Sequence, residues 1–151
     1  MNKDITYSIC EKCGVLNRVA FSSPAGKSPV CGKCKNSLPL ENGINELQAS
    51  SLDSLLNKSP QPVIVDFWAP WCGPCRGFVP TYIEAASRLK NRAVFSKVDT
   101  QANPIVPQKF GIRGIPTIAV FHRGKEVGRI SGALPFNDFL AWVEQTIQPL
   151  I

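Results

Sequence analysis

Hydrophobic positions along the chain change character near residue 43. Beyond that point their spacing predicts a series of elements. Ile44 to Leu47 predicts a short edge strand. Ser50 with Asp53 three residues on fits a capping-box-like helix start, and Leu52, Leu55 and Leu56 supply the apolar face behind it. Pro62 opens Val63-Ile64-Val65-Asp66-Phe67-Trp68, a nearly continuous apolar run of the kind buried on both faces of a sheet. Phe78, Val79, Tyr82, Ile83, Ala86 and Leu89 then follow at helical spacing, with a kink expected at Pro80. Val94 to Val98 predicts the next strand. Thr117 to Phe121 and Glu126 to Ile130 flank Arg123-Gly124 as an antiparallel hairpin. Phe136, Phe139, Leu140, Val143 and Ile147 predict a closing helix. The order β-α-β-α-β, a loop or short helix, then β-β-α predicts an α/β sheet with helices on both faces.

Residues 1–42 lack such periodicity. They hold Gly14, Pro24, Gly26, Pro29, Gly32 and Pro39, with a loop at Ser22 to Pro29. A segment this short cannot bury enough apolar surface to fold on its own core and needs a metal or disulfides. Two units are expected: 1–42, then 43–151, joined at Glu41-Asn42-Gly43.

Composition narrows the class. The chain has 151 residues, 44% hydrophobic and 19% charged, which excludes intrinsic disorder. A net charge of +6 permits attraction to nucleic acid or anionic membranes without requiring it. The apolar runs are too short to span a bilayer. The start, Met1 to Thr6, lacks the apolar core of a secretion signal. A reducing cytoplasm is therefore expected. There, six cysteines are metal ligands or catalysts rather than structural disulfides.

The cysteines form three Cys-x-x-Cys pairs. Cys10, Cys13, Cys31 and Cys34 have the spacing of a four-cysteine zinc ribbon. Four thiolates suit a closed tetrahedral site with no open position, which makes the expected role of Zn2+ structural. Iron is a competing reading, because Cys13-Gly14 is like an iron-binding knuckle. Two disulfides are another, disfavoured by the missing export signal. His122, beside the hairpin turn, is read as exposed and not a ligand. Lys12, Arg18, Lys27, Lys33 and Lys35 surround the cysteines, but only Tyr7 and Phe21 offer base-stacking rings, so nucleic acid is not expected as a partner. Half of the basic excess lies in residues 1–45, and four thiolates around one divalent ion would reduce it by two charges.

Trp71-Cys72-Gly73-Pro74-Cys75 follows the apolar strand and opens a helix. A helix N-terminus carries partial positive charge and free N–H groups, which stabilise a thiolate at Cys72. Cys75 lies about one turn further, within disulfide reach. The bland alternative, an inert buried pair or half of another metal site, lacks further ligands nearby.

The segment from Val65 to Cys75 resembles the active-site segment of the thioredoxin family. The resemblance continues through Lys97, Gly111-Ile112-Arg113-Gly114-Ile115-Pro116-Thr117 and Ser131-Gly132-Ala133-Leu134, covering roughly 43–151. With the four-cysteine segment it points to the zinc-binding thioredoxin 2 type. It implies the thioredoxin fold, a central mixed β-sheet flanked by helices, here with a small zinc ribbon. It also implies a cytoplasmic protein-disulfide reductase recharged by NADPH through thioredoxin reductase. Cys72 would attack a substrate disulfide, and Cys75, expected to be less exposed, would resolve the mixed disulfide. Asp66, a carboxylate in an apolar strand, should have a raised pKa and could take the Cys75 proton through a water. Lys97 resembles the family's partner to this aspartate; a surface lysine is the competing reading. Ile115-Pro116 resembles the family's cis-proline loop. Trp71, Gly73, Pro74, Ile115, Pro116, Gly132 and Ala133 would form an apolar docking surface, with Trp68 packed beneath it. Arg76 departs from the family's usual lysine while keeping the charge. Two other readings remain open: an oxidase or isomerase, against which Gly73-Pro74 argues, and a zinc-ribbon binding or redox-sensing adaptor with a vestigial dithiol domain. The zinc site would be structural or redox-sensitive. A monomer is the default, with disulfide-containing proteins as substrates.

Overall fold

The structure, a computed structural model, describes residues 4–21 and 29–151. The predicted loop at Ser22 to Pro29, apart from Pro29, lies outside the described residues, as does Lys27. Among the described residues, eight strands and four α-helices follow in chain order. They are β1 (Ile5–Ile9), β2 (Leu16–Ala20), β3 (Leu40–Glu41), β4 (Ile44–Leu47), α1 (Ala49–Lys58), β5 (Val63–Trp68), α2 (Gly73–Arg88), β6 (Val94–Asp99), α3 (Ile105–Phe110), β7 (Thr117–His122), β8 (Lys125–Ser131) and α4 (Phe136–Ile147). β1 and β2 form a separate antiparallel pair. The main sheet has six strands in the order β3-β4-β6-β5-β7-β8. β4, β6 and β5 are parallel, and β3, β7 and β8 run antiparallel to their neighbours, so the sheet is mixed.

The alternation of side chains along β5 explains both layers. Val63, Val65 and Phe67 join Leu52, Leu55, Leu56 and Val106 on the side of α1 and α3. Ile64 faces the other way, into Phe78, Tyr82, Phe139, Val143 and Ile147 of α2 and α4. Asp66 shares the parity of Ile64 and therefore faces α2. Each fully buried leucine or phenylalanine contributes about 1.5–3 kcal/mol. The Tyr82 hydroxyl, buried in this layer, donates to the Ser96 carbonyl at 2.6 Å, which removes the cost of an unpaired polar group.

Several local expectations change. The strand Ile44–Leu47 is not at the edge: β3 covers it, and β3 lies ahead of the expected boundary after residue 42. Helix α1 begins at Ala49 with Gln48 as N-cap, two residues before the expected Ser50. Ser51 Oγ accepts from the Gln48 N–H at 2.9 Å, so Ser51 fills the position assigned to Asp53. Asp53 instead pairs with Lys109 on α3. Pro80 lies within α2 without ending it, costing only the bond to the Arg76 carbonyl. The hairpin turn Arg123-Gly124 has positive φ at both residues, as a two-residue primed turn demands. His122 ends β7 and is half-buried rather than exposed.

The N-terminal segment packs directly on this sheet and α1. Ile9 of β1 is fully buried among Leu47, Leu52 and Leu55. Asn45 Nδ2 donates to the Tyr7 carbonyl at 2.9 Å, and Asn91 brackets Ile5 and Asp4. Gly43 has φ +76°, and a Cβ there would collide with the Phe21 ring, so a glycine is required twice over. Among the described residues, no helix is long and apolar enough to cross a membrane.

Candidate active site and metal centre

Strand β5 delivers the chain to the dithiol. After Trp68 it turns through Ala69-Pro70-Trp71, and Cys72 becomes the N-cap of α2. Cys72 Sγ accepts from the Cys75 N–H at 3.2 Å, the bond a capping oxygen ordinarily makes. Pro74 sits in the first turn, where its missing N–H costs nothing. Cys72 and Cys75 are joined as a disulfide with Cα atoms 5.2 Å apart, inside the normal range. Cys75 is not markedly less exposed than Cys72: both are buried, at 2% and 4%. Trp71 beside them is 68% exposed.

The Ile115–Pro116 peptide is cis. The Ile115 carbonyl oxygen lies 3.9 Å from Cys72 Sγ. The loop is pinned from behind: the Gly132 N–H donates to the Pro116 carbonyl at 2.8 Å, and Thr117 Oγ1 donates to the Gly114 carbonyl. A groove of about 450 Å³ runs beside the disulfide, with Trp71, Gly73, Pro74, Ile112, Arg113 and Ile115 among its lining residues.

Asp66 lies on β5 two residues before Trp68 and is 4% exposed. Its Oδ1 has no hydrogen-bond partner among the described residues. Burial pushes its carboxyl up to about 7, against the lowering influence of Lys97. Asp66 and Lys97 are register partners on adjacent parallel strands. Lys97 Nζ, however, ion-pairs with Glu46 Oε1 at 3.0 Å and lies over the Trp68 ring. A crevice of about 230 Å³, lined by Asp66, Glu46, Lys97, Val79 and Tyr82, opens toward this carboxylate.

The other four cysteines converge on one point. All four sulfurs lie within 4.8 Å of one another. Cys10 and Cys34 sulfurs are 3.6 Å apart, and those of Cys13 and Cys31 are 3.7 Å apart. Sulfurs about 2.3 Å from one tetrahedral Zn2+ would stand about 3.8 Å apart. The two pairs form matching knuckles. The Cys13 N–H donates to Cys10 Sγ and the Lys33 N–H to Cys31 Sγ, each at 3.4 Å. Gly14 and Lys35 hold the same place in each knuckle, and both have positive φ. Their N–H groups close the turns onto Cys10 and Cys31 carbonyls. Backbone N–H groups of Cys34 and Lys33 lower the Cys31 thiol, while burial and the neighbouring thiols raise that of Cys13. The donor set and its geometry fit a divalent ion that prefers four thiolates.

The thioredoxin family model matches residues 43–145. The chain belongs to the thioredoxin family. Thioredoxin C-3 of Corynebacterium nephridii is 38% identical over 141 residues, covering 93% of this chain and 94% of that protein. The chloroplastic M-type thioredoxin of Brassica napus is 34% identical over 140 residues, covering 89% of this chain and 79% of that one. The thioredoxin of Rhodospirillum rubrum is 36% identical over 104 residues, 69% of this chain and all of that one. With its Cys72–Cys75 pair, the thioredoxin region makes this chain a protein-disulfide oxidoreductase.

The thioredoxin fold brings Trp71, Cys72, Gly73, Pro74 and Ile115 together on one groove. Pro116 is buried behind Ile115, while Gly132 and Ala133 lie outside the groove lining. Gly132, at φ +99°, serves as the backbone donor that holds the proline loop. Thr100, Pro107, Ile112, Arg113 and Gly114 complete the groove without having been assigned from the sequence. The adjacency of Ile112 to Gly114 to the cis-proline was the available signal. Glu46, the partner of Lys97, gave no sequence signal, because its role depends on strand register.

Proposed function

We propose that this thioredoxin-family chain is a protein-disulfide reductase of the zinc-binding thioredoxin 2 type. The observation that carries the reading is the Cys72–Cys75 pair at the start of α2, facing the carbonyl before the cis-proline. In the reduced protein the N-terminus of α2 stabilises a thiolate at Cys72. That thiolate attacks one sulfur of a substrate disulfide, and the other substrate sulfur leaves as thiolate. Cys75 then gives its proton, through a water, to the Asp66 carboxylate and attacks the Cys72 sulfur. The second substrate thiolate leaves, and Cys72–Cys75 is the product disulfide. Two electrons pass from the dithiol to the substrate. NADPH, through thioredoxin reductase, would return them.

Asp66 suits the proton-accepting role because burial holds its carboxyl near neutrality and Oδ1 is left without a partner. The groove at Trp71, Pro74, Ile112 and Ile115 would hold an extended substrate segment against the Ile115 backbone. Cys10, Cys13, Cys31 and Cys34 would hold one Zn2+, which supplies a closed structural cross-link. The reading places the protein in the cytoplasm, where the dithiol can be kept reduced.

The test is reduction of insulin with NADPH and thioredoxin reductase. Activity is expected from the native chain and none from Cys72→Ser. Full activity in Cys72→Ser would overturn the proposal. The same assay across pH tests Asp66: Asp66→Asn should lose most rate near neutrality, and an unaltered profile would remove Asp66 from the mechanism.

A further inference from the structure

Three side chains stand in one row across the sheet. Glu46 on β4 is the register partner of Lys97 on β6, and Lys97 is the register partner of Asp66 on β5. In-register residues of parallel strands point to the same face, so the row is carboxylate, ammonium, carboxylate. The ammonium is not shared evenly. Lys97 Nζ sits 3.0 Å from Glu46 Oε1 and 5.1 Å from the centre of the Trp68 ring, while Asp66 Oδ1 has no hydrogen-bond partner among the described residues. We propose that Glu46 is a positioning residue for the thiol chemistry: it draws the Lys97 ammonium to itself and so leaves the buried Asp66 carboxyl without a paired cation.

The groups facing Asp66 define what else could set its ionisation. From β6 comes Lys97. From α2 comes Tyr82, whose hydroxyl is committed to backbone carbonyls. From β3 and β4 come Glu41 and Glu46, on the wall of the crevice. Across β7 the register partner is Ile118, which is uncharged. Lys97 is therefore the one cation among the described residues lining this crevice, and its position decides how much it offsets burial. Glu46 is 54% exposed and Lys97 22%, so the effect passes through a partly screened pair and must be modest.

The inference rests on Asp66 as proton acceptor only for its bearing on catalysis; the ionisation itself is read directly. The experiment is a ¹³C NMR titration of the Asp66 carboxyl in the oxidised protein, where neither Cys72 nor Cys75 titrates. In Glu46→Gln the released ammonium should favour the carboxylate, and the midpoint should fall by about half a pH unit. The conservative Glu46→Asp should fall between the two. In a Lys97→Met background, Glu46→Gln should produce less than half of that fall. An unmoved midpoint in Glu46→Gln, or an equal fall in both backgrounds, would overturn the proposal. The pH–rate profile for insulin reduction then separates the two questions. A shifted titration with an unshifted rate profile would leave the Glu46–Lys97 control of Asp66 intact and remove Asp66 from the proton transfer.

Discussion

Ser51 Oγ donates to Glu11 Oε2 at 2.6 Å. The bond joins the first cysteine knuckle, in which Glu11 lies between Cys10 and Cys13, to the first turn of α1. The same carboxylate oxygen accepts from the Gln48 N–H at 3.2 Å, where the helix N-terminus favours a negative charge. At the other end of α1, Lys58 Nζ donates to the Gly14 carbonyl at 2.6 Å. The knuckle is thus fastened along the whole helix, with Ile9 buried beneath it.

Glu11→Ala should lower stability by about 1 kcal/mol, the usual size of a lost helix-capping bond. The measurement is urea denaturation of the metal-loaded protein. A midpoint equal to that of the native chain would mean that the knuckle only rests against α1.

Loss of a metal held, as proposed, by Cys10, Cys13, Cys31 and Cys34 should reach the sheet through the same contacts. Cys31 is fully buried and is held by two backbone N–H groups, so Cys31→Ser removes a ligand without opening space. One zinc per chain is expected in the native protein by elemental analysis, and less than about one tenth of that in Cys31→Ser. The variant should also melt at lower temperature, since β1 and Ile9 depend on the knuckle for their position. Equal metal content in both proteins would show that the four sulfurs do not form the site.

Much of this was legible from residue spacing, for a physical reason. The apolar run around Asp66 has the pattern of a doubly buried strand, and the helical spacing from Phe78 to Leu89 makes the Cys-x-x-Cys pair before it a helix start. The knuckles were likewise legible, because two intervening residues suffice to aim both sulfurs at one ion. Contacts between elements were not legible. The strands Ile5–Ile9 and Leu16–Ala20 leave little trace in the sequence, because the alternate positions that the first one buries are polar, Thr6 and Ser8, and the second has no fully buried residue. Glu46 looks like an ordinary exposed residue until strand register sets it beside Lys97. The cap of α1 is hidden because its acidic partner comes from 37 residues away.

Arg129 braces the segment that leads into the groove. Its guanidinium donates from Nη1 to the Gly111 carbonyl at 3.0 Å and from Nη2 to the Phe110 carbonyl at 2.5 Å. Glu126 holds it in a two-pronged pair at 2.8 Å. These bonds fix the segment that leads into Ile112, Arg113 and Ile115. Arg129→Ala should raise the KM for insulin several-fold, roughly the effect of losing about 1 kcal/mol of ordering, with kcat less affected. A lower kcat at constant KM would place the role of Arg129 in the chemistry instead.

Asp66 also makes stability depend on pH in the direction opposite to most carboxylates. Its folded pKa, about 7, lies above the unfolded value near 3.8. Between these values the folded protein binds a proton that the unfolded chain has released. Stability from this group is therefore full below about pH 4 and falls as pH rises toward 7. The difference corresponds to about 4 kcal/mol as an order of magnitude, with little solvent screening because the residue is buried. Asp66→Asn removes the ionisation while keeping the shape. The oxidised variant should be more stable than the native protein at pH 8 by a few kcal/mol, and the gain should shrink to near zero at about pH 4. Denaturant melts of both oxidised proteins across that range provide the check. A gain that does not change with pH would mean that the substituted amide stabilises by packing, and that the native carboxylate is not strained by its burial.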